Sequence, residues 1–202
     1  LTLFNIVVFA SGSGTNFQAL IEAVEAGEID GQIAGLVTNK SEAGAIDRAQ
    51  KHGIEHTVLA PSQFSSQLDY VDALLEQLNH WQTDLIALAG YMIKVPTEVI
   101  EQYPNRIVNI HPSLLPKYGG KGFYGRHVHQ AVIDNDEDES GCTVHLVTEE
   151  YDDGPILGQR KVPVKDSDDA DKLASRVLRE EHKLFPEVIA QLINELNSKT
   201  NN

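Results

Sequence analysis

The chain reads as an α/β protein: a single Rossmann-like domain with a mostly parallel seven-stranded sheet, helices on both faces and an antiparallel edge. Three observations predict this. Short β-branched runs alternate with amphipathic stretches, as parallel strands do with the helices that cover them. The last two strand-like runs follow one another with no helical stretch between them, which makes an antiparallel pair at one edge. The 202 residues contain no Pro/Ser-rich linker, internal repeat or low-complexity run, so one domain spanning 1–202 with a substantial core is expected.

Taken in order, the run Ile6 to Ala10, followed by Ser and Gly, predicts a first strand over 4–10. A helix over 15–27 places Phe17, Leu20, Ile21 and Val24 at helical spacing and stops near Gly27. Alternating strands and helices are then expected at 32–38, 43–52, 56–60 and 65–79. The apolar run Leu85 to Ala89 marks a strand over 84–89, a helix over 96–102 follows, and a strand over 106–110 ends at His111. His111 to Phe123 contains Gly119, Gly120 and Gly122 and shows no periodicity, so it is expected to be a loop, and a loop that long in a small domain is more often functional than idle. A helix over 124–134 and strands over 141–147 and 156–163 come next. The last helix, over 169–196, carries Leu173, Val177, Leu184, Val188 and Leu192, and Pro186 predicts a kink or a division into two segments.

The formal net charge of −14 and pI near 4.8 oppose a nucleic-acid surface, which needs a positive field. The acidic clusters Asp134 to Glu139 and Asp166 to Asp171 read as solvated faces and a helix start. No apolar run approaches the roughly 18 residues of a membrane span, so no membrane partner is expected. The lone cysteine, Cys142, forms no internal disulfide, suits strand packing and fits a cytoplasmic location. Oligomeric state is left open, a homodimer included.

Chemistry gathers where strands end. Ser11-Gly12-Ser13-Gly14-Thr15-Asn16 lies between the first strand and first helix, where backbone amides and a helix N-terminus can hold a phosphate; a plain Gly-rich turn with an N-cap is the alternative. NAD is disfavoured, because Phe17 stands where the fingerprint needs a third Gly and Asn39 where it needs an acid. Gly120-Lys121 is followed by Gly122, so there is no Walker lysine motif either. Asn109 and His111 are two apart at the end of a strand and project to one side, while Ile110 packs the other way. Pro112 forces the chain out as a loop. Such a pair suits an oxygen that gains negative charge. On the pair alone, a loop-capping Asn and a gap-filling His is the commoner arrangement. Gly90 and Met92 close the fourth strand in Leu88-Ala89-Gly90-Tyr91-Met92, where Gly admits a ligand to the backbone and Met adapts to flat apolar surfaces. Asp152 lies in Tyr151-Asp152-Asp153-Gly154-Pro155, which by itself reads as a turn, and Glu181 lies mid-helix, where an exposed face is the usual place. His127, His129, His145 and Cys142 are not expected to bind metal, because the first two face different sides of a helix.

Asn109-x-His111-Pro112-Ser113-Leu114-Leu115-Pro116 followed by Asp152-Asp153-Gly154-Pro155 resembles the folate-dependent formyltransferases, and most closely the branch that formylates glycinamide ribonucleotide in purine biosynthesis. The resemblance runs from Ile6-Val7-Val8 through the glycine loop and Leu88 to Met92 to Glu180-Glu181-His182, nearly the whole chain. It implies direct transfer of the formyl group of 10-formyltetrahydrofolate, a co-substrate, to the ribonucleotide amine through a tetrahedral intermediate, with no permanently bound cofactor. Asn109 would donate to the oxyanion, His111 would donate and pass protons, and Asp152 would position His111 and an ordered water. The same resemblance gives the substrate phosphate to Gly14, Thr15 and Asn16, the amine to Gly90 and Met92, the pterin to backbone near Val95, and the ribose hydroxyls to Glu181. Ile93 stands where an Arg often sits, leaving Lys94 as one candidate replacement cation. A carboxylate at Asp152 is expected to raise the His111 pKa. A methionyl-tRNA formyltransferase would add a C-terminal RNA-binding domain, for which an acidic chain of 202 residues is expected to leave no space, and a formyltetrahydrofolate hydrolase an N-terminal regulatory domain. A phosphometabolite-sensing module would explain the glycine loop without requiring Asn109, His111 and Asp152 together.

Overall fold

β1 (Phe4–Phe9) is the pivot of the sheet. It pairs in parallel with β2 (Gly31–Thr38) on one side and β4 (Leu85–Leu88) on the other. β3 (His56–Val58) lies outside β2, and β5 (Ile107–His111) continues in parallel from β4. β6 (Glu139–Leu146) and β7 (Ile156–Pro163) then add antiparallel, giving the order β3-β2-β1-β4-β5-β6-β7. The helices are α1 (Thr15–Glu25), α2 (Gly44–Lys51), α3 (Gln67–His80), α4 (Thr97–Gln102), α5 (Arg126–Asp134) and α6 (Ala170–Thr200). This computed structural model describes residues 3–200, with side chains through 198. Every expected strand and helix is present, and the antiparallel edge falls where two strands follow without a helix. A short 3-10 turn at Pro61–Gln63 was not anticipated.

The period-two alternation of β1 explains why helices cover both faces. Ile6, Val8 and Ala10 enter one core with Phe17, Leu20 and Phe185, while Val7 and Phe9 enter the other with Tyr70, Leu74 and Val99. Each fully buried Ile, Val, Leu or Phe side chain contributes roughly 1.5–3 kcal/mol, so neither face of β1 can be left to solvent.

α6 is continuous through Pro186, so the expected division into two segments does not occur. Pro186 removes one helical hydrogen bond. It is nonetheless buried beside Phe185, Val188 and Ile189, whose packing keeps the helix on course.

The crossovers from β1 run outward through β2 to β3, and the connection from β3 then returns past β1 to β4, so the strand order reverses between β1 and β4 and opens a crevice at the carboxyl ends of these strands. Two contacts join its walls: Ser11 N–H donates to the Gly90 carbonyl at 3.1 Å, and Met92 N–H donates to Ser11 Oγ at 2.8 Å. Ser11 Oγ in turn donates to Asn39 Oδ1 at 2.5 Å.

Candidate active site

A cavity of about 770 Å³ occupies this crevice. Gly14, Thr15, Asn16, Gly90, Met92, Val95, Asn109, His111, Asp152 and Glu181 all line it, so every site residue singled out in the sequence comes to one pocket. Glu181, unremarkable on a helical wheel, is buried, and its Oε2 accepts a 2.6 Å hydrogen bond from Asn16 Nδ2. The contact ties α6 to the start of α1.

The opposite wall is formed by β5 and β6. Their antiparallel register sets Asn109 against His145 and His111 against Thr143. Asn109 Nδ2 lies 3.1 Å from His145 Nε2. Asp152 Oδ1 lies 3.6 Å from His111 Nδ1 and 3.5 Å from His145 Nε2. Sequence reasoning placed His145 only in a discounted metal set. No periodicity in its own strand reveals it; the signal is its pairing with Asn109, which requires the register. Among the described residues no cluster has the makings of a metal site.

The loop after β5 folds back over these groups. Ser113 Oγ donates to the Lys117 carbonyl at 2.7 Å, Thr143 Oγ1 to the Ser113 carbonyl at 2.6 Å, and Gln159 Nε2 to the Leu115 carbonyl at 2.9 Å. The loop then meets the reactive side chains directly: His111 Nε2 lies 2.8 Å from the Tyr118 carbonyl, and Gly120 N–H donates to Asp152 Oδ2 at 2.9 Å. Asp152 adopts φ 54°, a left-handed conformation that Asp tolerates better than most residues.

Residues 4–189 match the family model described as formyl transferase. The chain belongs to the formyl transferase family. It is 39% identical over 186 residues to phosphoribosylglycinamide formyltransferase of Escherichia coli (strain K12), covering 92% of this chain and 85% of that relative. It is 44% identical over 190 residues to the chloroplastic phosphoribosylglycinamide formyltransferase of Vigna unguiculata, covering 94% of this chain but only 61% of the relative's length. Among solved structures, phosphoribosylglycinamide formyltransferase from Brucella melitensis superposes with a TM-score of 0.86 at 43% identity, covering 94% of this chain and 95% of that one.

In this formyl transferase-family pocket, hydrogen-bond partners assign the protons on both imidazoles. A carbonyl only accepts, so His111 Nε2 carries its proton toward Tyr118, and His145 Nδ1 carries its own toward the Leu146 carbonyl 2.8 Å away. The remaining nitrogens, His111 Nδ1 and His145 Nε2, both face Asp152 Oδ1. Burial lowers the His111 pKa more than Asp152 raises it, correcting the expectation of a net increase. Desolvation works against ionised Asp152, yet the proximity of the His145 and His111 rings and the hydrogen bond from the Gly120 amide together hold its pKa below the ordinary value. The lowered pKa values of both groups thus favour a neutral His111 beside an ionised Asp152. Lys94 Nζ sits over the Tyr151 ring at 5.4 Å, at the rim of the pocket. Among the described residues, no helix is long and apolar enough to cross a membrane.

Proposed function

We propose that this chain transfers the formyl group of 10-formyltetrahydrofolate to the primary amine of glycinamide ribonucleotide, with residues 1–202 acting as one formyltransferase unit. The observation that carries this reading is the convergence of Asn109, His111 and Asp152 on one side of a pocket whose other side is the Gly12 to Asn16 loop. The relatives named for this activity support it.

The amine attacks the formyl carbon, a C–N bond forms, and the carbonyl oxygen becomes an oxyanion to which Asn109 donates. The attacking nitrogen loses a proton, and the His111, His145 and Asp152 cluster can take it up: its two unprotonated nitrogens face one carboxylate oxygen, which stabilises an imidazolium. Returning that proton to the folate nitrogen as its C–N bond breaks releases tetrahydrofolate. Gly14, Thr15 and Asn16 would hold the phosphate, Glu181 the ribose hydroxyls, Gly90 and Met92 the amine, and backbone near Val95 the pterin. Each side chain invoked comes from a single chain, so a homodimer is not required for chemistry. The buried Cys142 thiol, pushed up to about 12 by burial, is inert and fits a cytoplasmic location.

Tetrahydrofolate release, followed with the purified chain, tests the reading. It should require glycinamide ribonucleotide and should not be supported by methionyl-tRNA. Equal release without any amine acceptor would make the protein a hydrolase and overturn the proposal.

A further inference from the structure

The loop that follows β1 is gripped from behind by the start of α2. Ala45 N–H donates to the Gly12 carbonyl at 3.1 Å, and Arg48 Nε–H donates to the Ser13 carbonyl at 2.8 Å. In a trans peptide the carbonyl and the following N–H point in opposite directions. Fixing the Gly12 and Ser13 carbonyls on α2 therefore turns the N–H groups of Ser13 and Gly14 the other way, toward the pocket that these residues line. Neither N–H has a hydrogen-bond partner among the described residues.

The fit behind the loop is close. A Cβ on Gly14, whose φ is +71°, would lie 2.8 Å from Ala45 Cα, and one on Gly44 would lie 3.3 Å from Ser13 Cα. Arg48 also reaches α1, donating from Nη1 to Gln18 Oε1 at 3.2 Å. Gln18 is held in turn by Glu22 Oε1 at 3.0 Å. Both Arg48 hydrogen-bond acceptors are neutral oxygens, in a protein whose formal net charge is −14.

We infer that Arg48 is a positioning residue for the phosphorylated substrate: it locks the Ser13 carbonyl so that the loop amides face the phosphate, and it places a positive charge behind them. The inference rests on the proposed phosphate role of this loop.

Steady-state kinetics of Arg48→Met and Arg48→Lys in the whole chain test it. Arg48→Met should raise the KM for glycinamide ribonucleotide by about tenfold or more, with the KM for folate and kcat at saturation changed less than about twofold. The inhibition constant of ribose 5-phosphate, used as a probe competing with the nucleotide, should rise in parallel. Arg48→Lys keeps the charge but loses the Nε geometry, so its effect should be smaller and equally confined to the nucleotide. A folded Arg48→Met enzyme with an unchanged nucleotide KM overturns the inference. Should the Met variant fail to fold, the Lys variant decides: a rise shared by both substrates, or none, overturns it. Gly12→Val separates the two layers of argument, because a Cβ at Gly12 meets nothing within 4 Å and the fold should survive. If Gly12→Val leaves nucleotide KM untouched, the phosphate lies elsewhere and the loop reading fails. If Gly12→Val raises it and Arg48→Met does not, only the clamp fails.

Discussion

The Asn109 carboxamide and the His145 imidazole meet across the β5/β6 pair, Nδ2 to Nε2 at 3.1 Å. Because His145 Nδ1–H is committed to the Leu146 carbonyl, Nε2 is an acceptor, and this fixes which way the Asn109 amide points. One Asn109 N–H is used by His145, and the other has no partner among the described residues and can serve an oxyanion.

Asn109→Ala should therefore lower kcat by roughly a hundred- to a thousandfold, the usual loss for one preorganised donor. His145→Ala leaves the donor in place but frees its orientation, and a smaller loss of about tenfold is expected. Both variants should bind folate and glycinamide ribonucleotide within severalfold of wild type, as measured by calorimetry. Equal losses in binding and turnover would show that the pair serves ground-state recognition.

Asp152→Asn should push the already lowered His111 pKa further down, because it removes the nearby negative charge that partly offsets burial. NMR titration of the His111 ring in both proteins measures this directly. Asn accepts the left-handed φ of 54° at this position, so the turn should survive. Turnover should fall by about two orders of magnitude with little change in substrate dissociation constants. An unchanged His111 pKa would break the proposed contact.

His129 gives the protein an acid-side instability. It is buried, its Nδ1 lacks a partner among the described residues, and burial lowers its pKa from 6.5 to about 4. The folded pKa lies below the unfolded one, so the unfolded chain takes up the proton first as pH falls. Stability is thus undiminished above pH 6.5 and declines from there to about pH 4, by about 3 kcal/mol for this group. His111 acts in the same direction, and Glu181, whose carboxyl is raised by burial, in the opposite one. Urea unfolding at about pH 7 and pH 4.5 should show a smaller loss for His129→Gln than for wild type. Identical losses would mean that His129 titrates normally in the folded protein.

The elements were legible because their causes are local. Phe17, Leu20, Ile21 and Val24 mark α1 by spacing alone, and the run Ile6 to Ala10 marks a strand buried on both faces. Pro186 does not divide α6, because a lost helical hydrogen bond is a local cost, while Phe185 and Ile189 hold α6 against the sheet from a distance. Glu181 could be assigned only by resemblance, since nothing in its neighbours shows that Asn16 will reach it across 165 positions.

The sequence by itself determined the α/β architecture, the strand ends that carry Asn109 and His111, and the glycine loop, all set by side-chain periodicity, proline geometry and turn chemistry within a few residues. Only the tertiary structure decided that His145 faces Asn109, that Arg48 grips the loop from behind, and that His111 rests neutral beside Asp152. Register, helix docking and desolvation depend on segments far apart in the chain, and burial can outweigh a neighbouring charge only once those segments have closed around it.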